Sequence, residues 1–587
     1  MYRTHTCNAL TIADKGKRVE LSGWVYRRRD HGGLVFIDLR DRYGFTQIVF
    51  DPNSNKDVHA IAEGVRGEYV LHVKGTVRPR PEGQANPDMY TGEIEVLVSE
   101  VEILNESKTT PFEIDQDKEV NEELRLKYRY LDLRRDRMRR NIILRHNMAK
   151  YTRDFFCNED FIEVETPILI KGTPEGSREY LVPSRIYPGN FYVLPQSPQQ
   201  LKQLLMVASM DRYFQLARCF RDEDQRGDRQ PEFTQLDMEM SFVHKEDVMD
   251  INQRAIIGMA KEIAPHKKIR DEVPVFTFHE AMDMYGVDKP DIRYDLKMVD
   301  ISEIVKDSGF SVFKDAVASG GCVKALRIPG GASFARREID ELTEVAKIYK
   351  AKGLAYIIHS KEEGIKAPIL KFMSEDEIKS IVEATGLSEG DIVFFAADVW
   401  ETACSSLGHV RIAVAEKLQL ADINDFAFCW VIDFPMFEVM EDGKVQAMHH
   451  PFCAPLPEDL ALLESDPMKV RANAYDFVLN GNEIAGGSIR IHTSDVQSKI
   501  FDRLDITGED ATRRFGHMLE AFTYGAPPHG GIAWGFDRLV MLFCDEPNIR
   551  EVIAFPKDQK AKDLMLGAPS EMPDAQLHEA NVKCINL

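Results

Sequence analysis

The chain has 587 residues, 44% of them hydrophobic and 29% charged, a balance that fits a folded protein of three or four domains rather than one core. Its net charge of −22 means that a polyanion would have to be gripped at defined basic places, not by an overall field. No apolar run approaches the ~18 residues of a membrane span, no signal-peptide core opens the chain, and nine cysteines scattered without a Cys-x-x-Cys pair suit reduced thiols in a cytoplasm, with no disulfide framework and no zinc.

Residues 1–106 predict a small β-barrel. Five strands, at Val19–Arg27, Leu34–Leu39, Phe45–Phe50, Tyr69–Val77 and Gly92–Ile103, alternate with turn signals and leave no room for a long helix, the pattern of an OB-type barrel. Such barrels stack single-stranded bases on aromatics and fix phosphates with Arg or Lys. Arg29, Phe36 and Gln47 lie on or beside the strands of that face, although a lone Phe on a strand more often belongs to a core. Arg27-Arg28-Arg29 forms one basic knot, and Arg125–Arg145, with nine Lys/Arg against two Asp, forms a second. Residues 107–140 carry little apolar periodicity and are expected to be a hinge.

An amphipathic helix is predicted over Asn141–Asn158, followed by a strand, Asp160–Leu169, closed by Pro167. Residues 213–240 read as strand, charged loop, strand. In the second strand Phe233, Gln235, Asp237 and Glu239 share one face, and Thr234, Leu236, Met238 and Met240 the other. Because that polar face shares a hairpin with Arg221, it is expected to line a pocket. Residues 290–422 form an α+β segment whose Pro329-Gly330-Gly331 lacks a following Gly-Lys-[Ser/Thr], so it reads as a turn and not a phosphate loop. The chain then reaches His529-Gly-Gly-Ile-Ala-Trp-Gly-Phe-Asp-Arg538. Glycines at 530, 531 and 535 allow close approach of backbone or ligand, and Asp537-Arg538 open an apolar run expected to be a buried helix. A strand stripped of side chains that ends in arginine suits a flat ring with a phosphate at its edge.

The Pro167-ended strand, Phe220-Arg221-Asp222-Glu223 and Gly535-Phe536-Asp537-Arg538 resemble motifs 1, 2 and 3 of the class II aminoacyl-tRNA synthetases. Thr173-Pro-Glu-Gly176, Gln196-Ser-Pro-Gln-Gln-Leu-Lys202, Met448-His-His-Pro451 and Gly486-Gly-Ser-Ile-Arg490 are similar to the bacterial-type aspartyl-tRNA synthetases. One departure is Phe536, where the family usually has leucine. The resemblance implies a multidomain α/β protein. It would comprise an OB-fold anticodon-binding barrel (1–106), a hinge (107–140), and an antiparallel-sheet catalytic domain in two parts (141–289 and 423–560). A bacterial-type inserted domain (290–422) and a C-terminal extension (561–587) complete it. Motif 1 further implies a two-fold homodimer.

The implied reaction joins L-aspartate to ATP, giving aspartyl-adenylate and pyrophosphate, then passes the aspartyl group to the tRNA 3′ end. By resemblance, Arg221 takes the α-phosphate, while Arg538 takes the γ-phosphate and one side of adenine. Phe233 stacks on the other side. Glu223 and Gln230 read the adenine edge or ribose, with Asp222, Gly535, Phe536 and Asp537 completing the ATP site. ATP arrives with Mg²⁺, for which Asp476 and Glu483 are the carboxylates best placed. Lys202 and Arg490 are candidates for the aspartate side-chain carboxylate, because a neutral amide would leave two buried cations uncompensated. Glu175, Ser197, Gln199, Asp237 and His449 hold the ammonium group or orient those cations. Glu483 and Arg490 are seven residues apart and would face opposite ways on an unbroken strand, so a bulge at Gly486-Gly487 is expected to return both to the pocket. Adjacent His449 and His450 would diverge on a strand, and a substrate-gating loop is expected there rather than a metal site.

In the barrel, Arg29, Phe36, Gln47 and Glu95 match the base-reading positions of the family. His31 and Gly83 stand where strictly tRNA-Asp-specific relatives tend to carry leucine and lysine. The pair resembles the non-discriminating subgroup, which also charges tRNA-Asn. A strictly tRNA-Asp-specific enzyme is the alternative, as are a synthetase for asparagine or lysine and an RNA-binding paralogue without catalysis.

Overall fold

The computed structural model describes residues 1–116, 118–172, 178–440 and 442–585. It divides into two compact units, Met1–Ile143 with Ile553–Glu571, and Leu144–Val552 with Met572–Leu587.

In the first unit five strands close a barrel: Arg18–His31, Leu34–Asp41, Gly44–Phe50, Val70–Pro79 and Ile94–Asn105. The first strand pairs with the second and fourth, and the third closes in parallel onto the fifth. Inward residues alternate as the pleat requires, with Val35, Ile37 and Leu39 filling the core. Phe36 is not among them; it lies half-buried on the outer face, paired across the ladder with Arg29. One helix, Lys56–Gly64, is capped by Asn55.

Three of the nine cations in the basic run Arg125–Arg145 are directed into the fold. Arg125, Arg129 and Arg135 turn inward onto the fully buried Asp132, at 3.0, 2.7 and 3.5 Å. Arg129 also donates to the carbonyls of Ile553 and Ala554. Three guanidiniums around one carboxylate spend their charge inside the fold. In the barrel's own basic knot, Arg27 pairs with Asp115, Arg28 with Asp30 and Arg29 with Asp38.

The second unit is built on an eight-stranded sheet, ordered Val275–Thr277, Phe428–Ile432, Ala474–Leu479, Asn482–Ile489, His529–Gly535, Glu232–Ser241, Arg212–Phe220 and Ile162–Glu163. All neighbours are antiparallel except at the two edges. The back face carries Leu236, Met238, Ile532 and Trp534, whose indole donates to Asn252 in the helix Lys245–Ile263. Phe156, on the helix Asp136–Asn158, stacks on Phe214 of the same layer. The strand expected over Asp160–Leu169 is only Ile162–Glu163, because Thr166 bonds to the Gln215 side chain instead of a ladder partner and Pro167 follows. Beyond it Ile168 and Leu169 are about half exposed.

Within the same unit, Met298–Asp300, Cys322–Ile328, Ile392–Asp398, Ala355–Ser360 and Gly364–Lys366 form a separate antiparallel sheet, covered on both faces by helices. Pro329-Gly330-Gly331 is a turn there, with Gly330 at φ +75°.

Candidate active site

A cavity of about 570 Å³ opens on the front of the eight-stranded sheet. Its floor is made of small residues in register: Gly486 opposite Ala533, Ala533 opposite Asp237, and Gly535 opposite Gln235. A Cβ on Gly535 would stand in ordinary contact with Arg538 Cβ, at 3.6 Å, and with the Ile484 carbonyl, at 3.9 Å, so glycine leaves backbone exposed at the end of that strand without being sterically required. Gly531 has another purpose, since a Cβ there would come within 2.0 Å of the Glu239 carboxylate. The polar face predicted for Glu232–Ser241 does line the cavity, through Phe233, Gln235 and Asp237.

At the closed end four charges interlock. Lys202, 1% exposed, donates to Asp237 at 2.7 Å and lies 3.2 Å from Glu239. Arg490, 4% exposed, donates to both oxygens of Glu239, at 3.0 and 3.3 Å, and to Ser488 Oγ at 2.7 Å. Burial works against ionising Glu239, but Arg490 and Lys202 outweigh it and hold the carboxyl at about 2. Asp237 goes the other way: burial, helped by the charge of Glu239, raises it above the usual carboxylate range despite Lys202. Two cations and two carboxylates make this corner neutral overall. Asp237 Oδ2 and Gln199 Nε2 nonetheless have no partner among the described residues, and both residues line the cavity. His450 has its Nδ1 taken by the Phe452 amide, so its Nε2 carries the proton and is also unpartnered. Burial and the neighbouring Arg490 and Lys202 push His450 down to about 3, which keeps it neutral.

His449 and His450 follow the strand Val445–Ala447 outside any strand, as the loop expected there would, and both line the cavity. His449 packs edge-on against Phe434, and burial lowers its pKa. Glu483 and Arg490 do reach one cavity by a bulge, but not at the predicted place. The register slips between Phe477 and Val478, whose partners are Ala485 and Glu483, so Ile484 is the extra residue. Gly486 and Gly487 allow close approach instead: a Cβ on Gly487 would meet the Gly531 carbonyl at 2.1 Å.

At the open end stand Arg221, Glu223, Gln230, Phe233, Gly535, Asp537 and Arg538. The Arg221 guanidinium lies 5.2 Å over the Phe233 ring. Arg538 donates to the Glu483 carbonyl and to Asp228. Asp476 and Glu483 flank Gly486 and have no ion pair among the described residues. Burial first, then the charges of Glu483 and Asp288, raise Asp476 well above the usual range. That excess of acid suits a divalent cation, and hard oxygen donors of this kind fit Mg²⁺.

Two expected ATP-site residues are not brought into the cavity. Asp222 is exposed and bridges to Arg178 across the loop. Phe536 is 1% exposed and packs beneath Arg145, on the core side of its helix. Asp537 reaches the cavity wall but is already held by Arg145 and the Thr234 amide. Glu175 lies outside the described residues. Among residues not singled out beforehand, Glu239 was legible, since it alternates with Asp237 on the polar face. Arg145, Asp228 and Asp288 carried no local signal.

In the barrel, Arg29, Gln47 and Glu95 join one network with Asp38 and Arg78 in which Asp38, Gln47 and Glu95 are buried: Arg29 donates to Asp38 and Gln47, Gln47 to Glu95, and Arg78 to Glu95. Phe36 borders it. His31 ends the first strand, and Gly83 sits in a turn at φ +77°.

Comparison with known proteins agrees with this geometry. Residues 19–104 match the model of the OB-fold nucleic acid binding domain, and residues 121–559 that of the class II tRNA synthetases (D, K and N). A protein of Syntrophotalea carbinolica named aspartate–tRNA(Asp/Asn) ligase is 53% identical, over 99% of this chain and 98% of its own. A protein of the same name from Desulfatibacillum aliphaticivorans is 52% identical, over 99% and 97%. Asparaginyl-tRNA synthetase of Pyrococcus horikoshii, solved with asparaginyl-adenylate, shares the fold at a TM-score of 0.58 and 19% identity, over 95% of this chain and 98% of that one. With the barrel, the cavity and full-length relatives in agreement, the chain belongs to the class II tRNA synthetases of the D, K and N group.

Proposed function

We propose that the protein is an aspartate–tRNA ligase that charges both tRNA-Asp and tRNA-Asn. The observation that carries this is the buried Lys202–Arg490 pair at the closed end of a cavity whose floor includes Gly486, Ala533 and Gly535. The full-length relatives named for aspartate and for both tRNAs support it. A side-chain carboxylate of the substrate meets Arg490 and Lys202. A neutral amide in its place makes weaker hydrogen bonds to the same two cations than a carboxylate does. The unpartnered Asp237 Oδ2 suits the substrate ammonium, with Ser197, Gln199 and His449 lining the same cavity; the resemblance gives Glu175 a share in that role.

The substrate α-carboxylate attacks the ATP α-phosphorus in line, pyrophosphate leaves, and the tRNA 3′ hydroxyl then displaces AMP from the aspartyl carbonyl. Little covalent work falls to the protein; positioning and opposed charge do most of it. Arg221 bridges the α-phosphate and the attacking carboxylate. Phe233 and Arg538 sandwich the adenine, Arg538 also meets the γ-phosphate, and Glu223 and Gln230 face the base edge or ribose. Asp476 and Glu483 would hold the Mg²⁺ that accompanies ATP, and that ion would neutralise phosphate charge. The barrel network of Arg29, Phe36, Gln47 and Glu95 takes the anticodon, with His31 and Gly83 relaxing choice at its third base.

The same reading includes a homodimer through the motif 1 segment, supported by exposed Ile162, Ile168 and Leu169, and a cytoplasmic setting. It also divides the chain as expected from the sequence, with 290–422 as an inserted domain.

The test is paired aminoacylation of tRNA-Asp and tRNA-Asn transcripts with aspartate and with asparagine, alongside aspartate-dependent ATP–pyrophosphate exchange by wild type and Arg490→Leu. Aspartate is expected on both transcripts, with exchange abolished in the variant. No product on tRNA-Asn leaves the strictly tRNA-Asp-specific enzyme, and exchange at near-normal aspartate affinity in Arg490→Leu refutes the pocket assignment.

A further inference from the structure

Three arginines face the open end of the cavity, and each is engaged by the protein itself. Arg538 Nη2 donates to Asp228 Oδ2 at 2.8 Å, while its Nη1 donates to the Glu483 carbonyl at 2.6 Å. Arg229 donates to Glu223 at 2.8 Å. Arg221 covers the Phe233 ring. Both carboxylates, Asp228 and Glu223, come from the charged loop between Phe220 and Glu232, whose ends are fixed by the strand ladder. Gly227, next to Asp228, is fixed as well, its carbonyl accepting from the Ile549 amide.

We propose that Asp228 is an internal anion latch: a positioning residue that occupies the Arg538 guanidinium before nucleotide binds and must turn away when a terminal phosphate arrives. The inference rests on the function proposed above, in which Arg538 meets the γ-phosphate. Asp228 is not needed to orient Arg538, because the Glu483 carbonyl holds the other arm of the fork. The Asp228 side chain is 41% exposed, so rotation about its own bonds frees Arg538 without moving the anchored backbone. One exposed carboxylate is a weak competitor for a multiply charged phosphate and a fair one for a monoanion. The latch therefore keeps stray small anions off Arg538 and yields to ATP. It also lowers apparent nucleotide affinity by the fraction of molecules in which it is open, which for a part-exposed pair amounts to about two- to fivefold.

The test uses the full-length protein as wild type, Asp228→Asn and Asp228→Glu. Calorimetry measures Mg²⁺ with β,γ-methylene ATP, and pyrophosphate exchange gives KM and kcat. Asp228→Asn is expected to lower the Kd and the ATP KM about two- to fivefold, with kcat and the aspartate KM little changed, while Asp228→Glu stays near wild type. The latch is refuted if Asp228→Asn leaves Kd unchanged or weakens it, or if Asp228→Glu tightens binding as much. Should wild type lack aspartate-dependent exchange, the functional reading fails, while the calorimetric comparison still decides the latch.

Discussion

Replacing Lys202 with methionine removes one cation from the neutral corner and leaves Arg490 facing Asp237 and Glu239, a net charge of −1 where there was none. Methionine keeps the length and apolar stem, so packing changes little. A substrate carboxylate then loses a buried charge-assisted donor and meets an excess negative charge. Truncating one partner of a buried, hydrogen-bonded charge pair costs about 2–5 kcal/mol of binding, which predicts roughly a 30- to 5,000-fold loss of kcat/KM for aspartate. Asp237 already lies above the usual carboxylate range, and without Lys202 it moves higher. It therefore takes up a proton at a higher pH than in the wild type, and that proton cancels the extra charge. Residual exchange activity in Lys202→Met should thus rise relative to wild type as the assay is lowered from about pH 8 to about pH 6. Pyrophosphate exchange against aspartate concentration at several pH values is the assay. A KM for aspartate within about threefold of wild type, or a pH profile parallel to wild type, refutes the reasoning.

Acid stability should also report on Glu239. Its folded carboxyl sits at about 2 against a usual 4.5, so its stabilisation is fully present above pH 4.5 and is lost as pH falls from there towards 2. At about 1.4 kcal/mol per tenfold this is worth roughly 3 kcal/mol. In urea unfolding followed by the buried Trp430 and Trp534, the wild type should lead Glu239→Gln by that order at neutral pH, with the gap narrowing below pH 4.5; a constant gap counts against it. Gly487→Ala places a methyl 2.1 Å from the Gly531 carbonyl, between two central strands. It should lower the thermal midpoint of the catalytic unit by several degrees, consistent with about 1–3 kcal/mol or more of overpacking, and an unchanged midpoint would contradict the strand geometry.

Patterns with a short period were legible in the residues alone. The five barrel strands, the hairpin with one polar face, and the glycine strand ending in Arg538 follow from alternation, glycine placement and turn chemistry, all of which act over a few residues. The turn at Pro329-Gly330-Gly331 was legible for the same reason. Local composition misled where partners come from afar. The run Arg125–Arg145 looks uniformly solvent-facing in sequence, yet three of its nine cations turn inward onto Asp132, and Arg129 also onto distant carbonyls. Phe36 faces outward, beside Arg29, because its neighbours Val35 and Ile37 take the inward positions.

Other features needed the assembled sheet. The extra residue that aims Glu483 and Arg490 into one cavity is Ile484, and a bulge's position depends on which partner residues pair across the ladder. Asp228 meets Arg538 across 310 residues of chain, and Arg145 meets Asp537 across 392. Sequence periodicity carries no information about such pairs. Alternation told which side of a strand is polar; only the packed neighbours decided which charges cancel there and which polar atoms, such as Asp237 Oδ2, remain for a ligand.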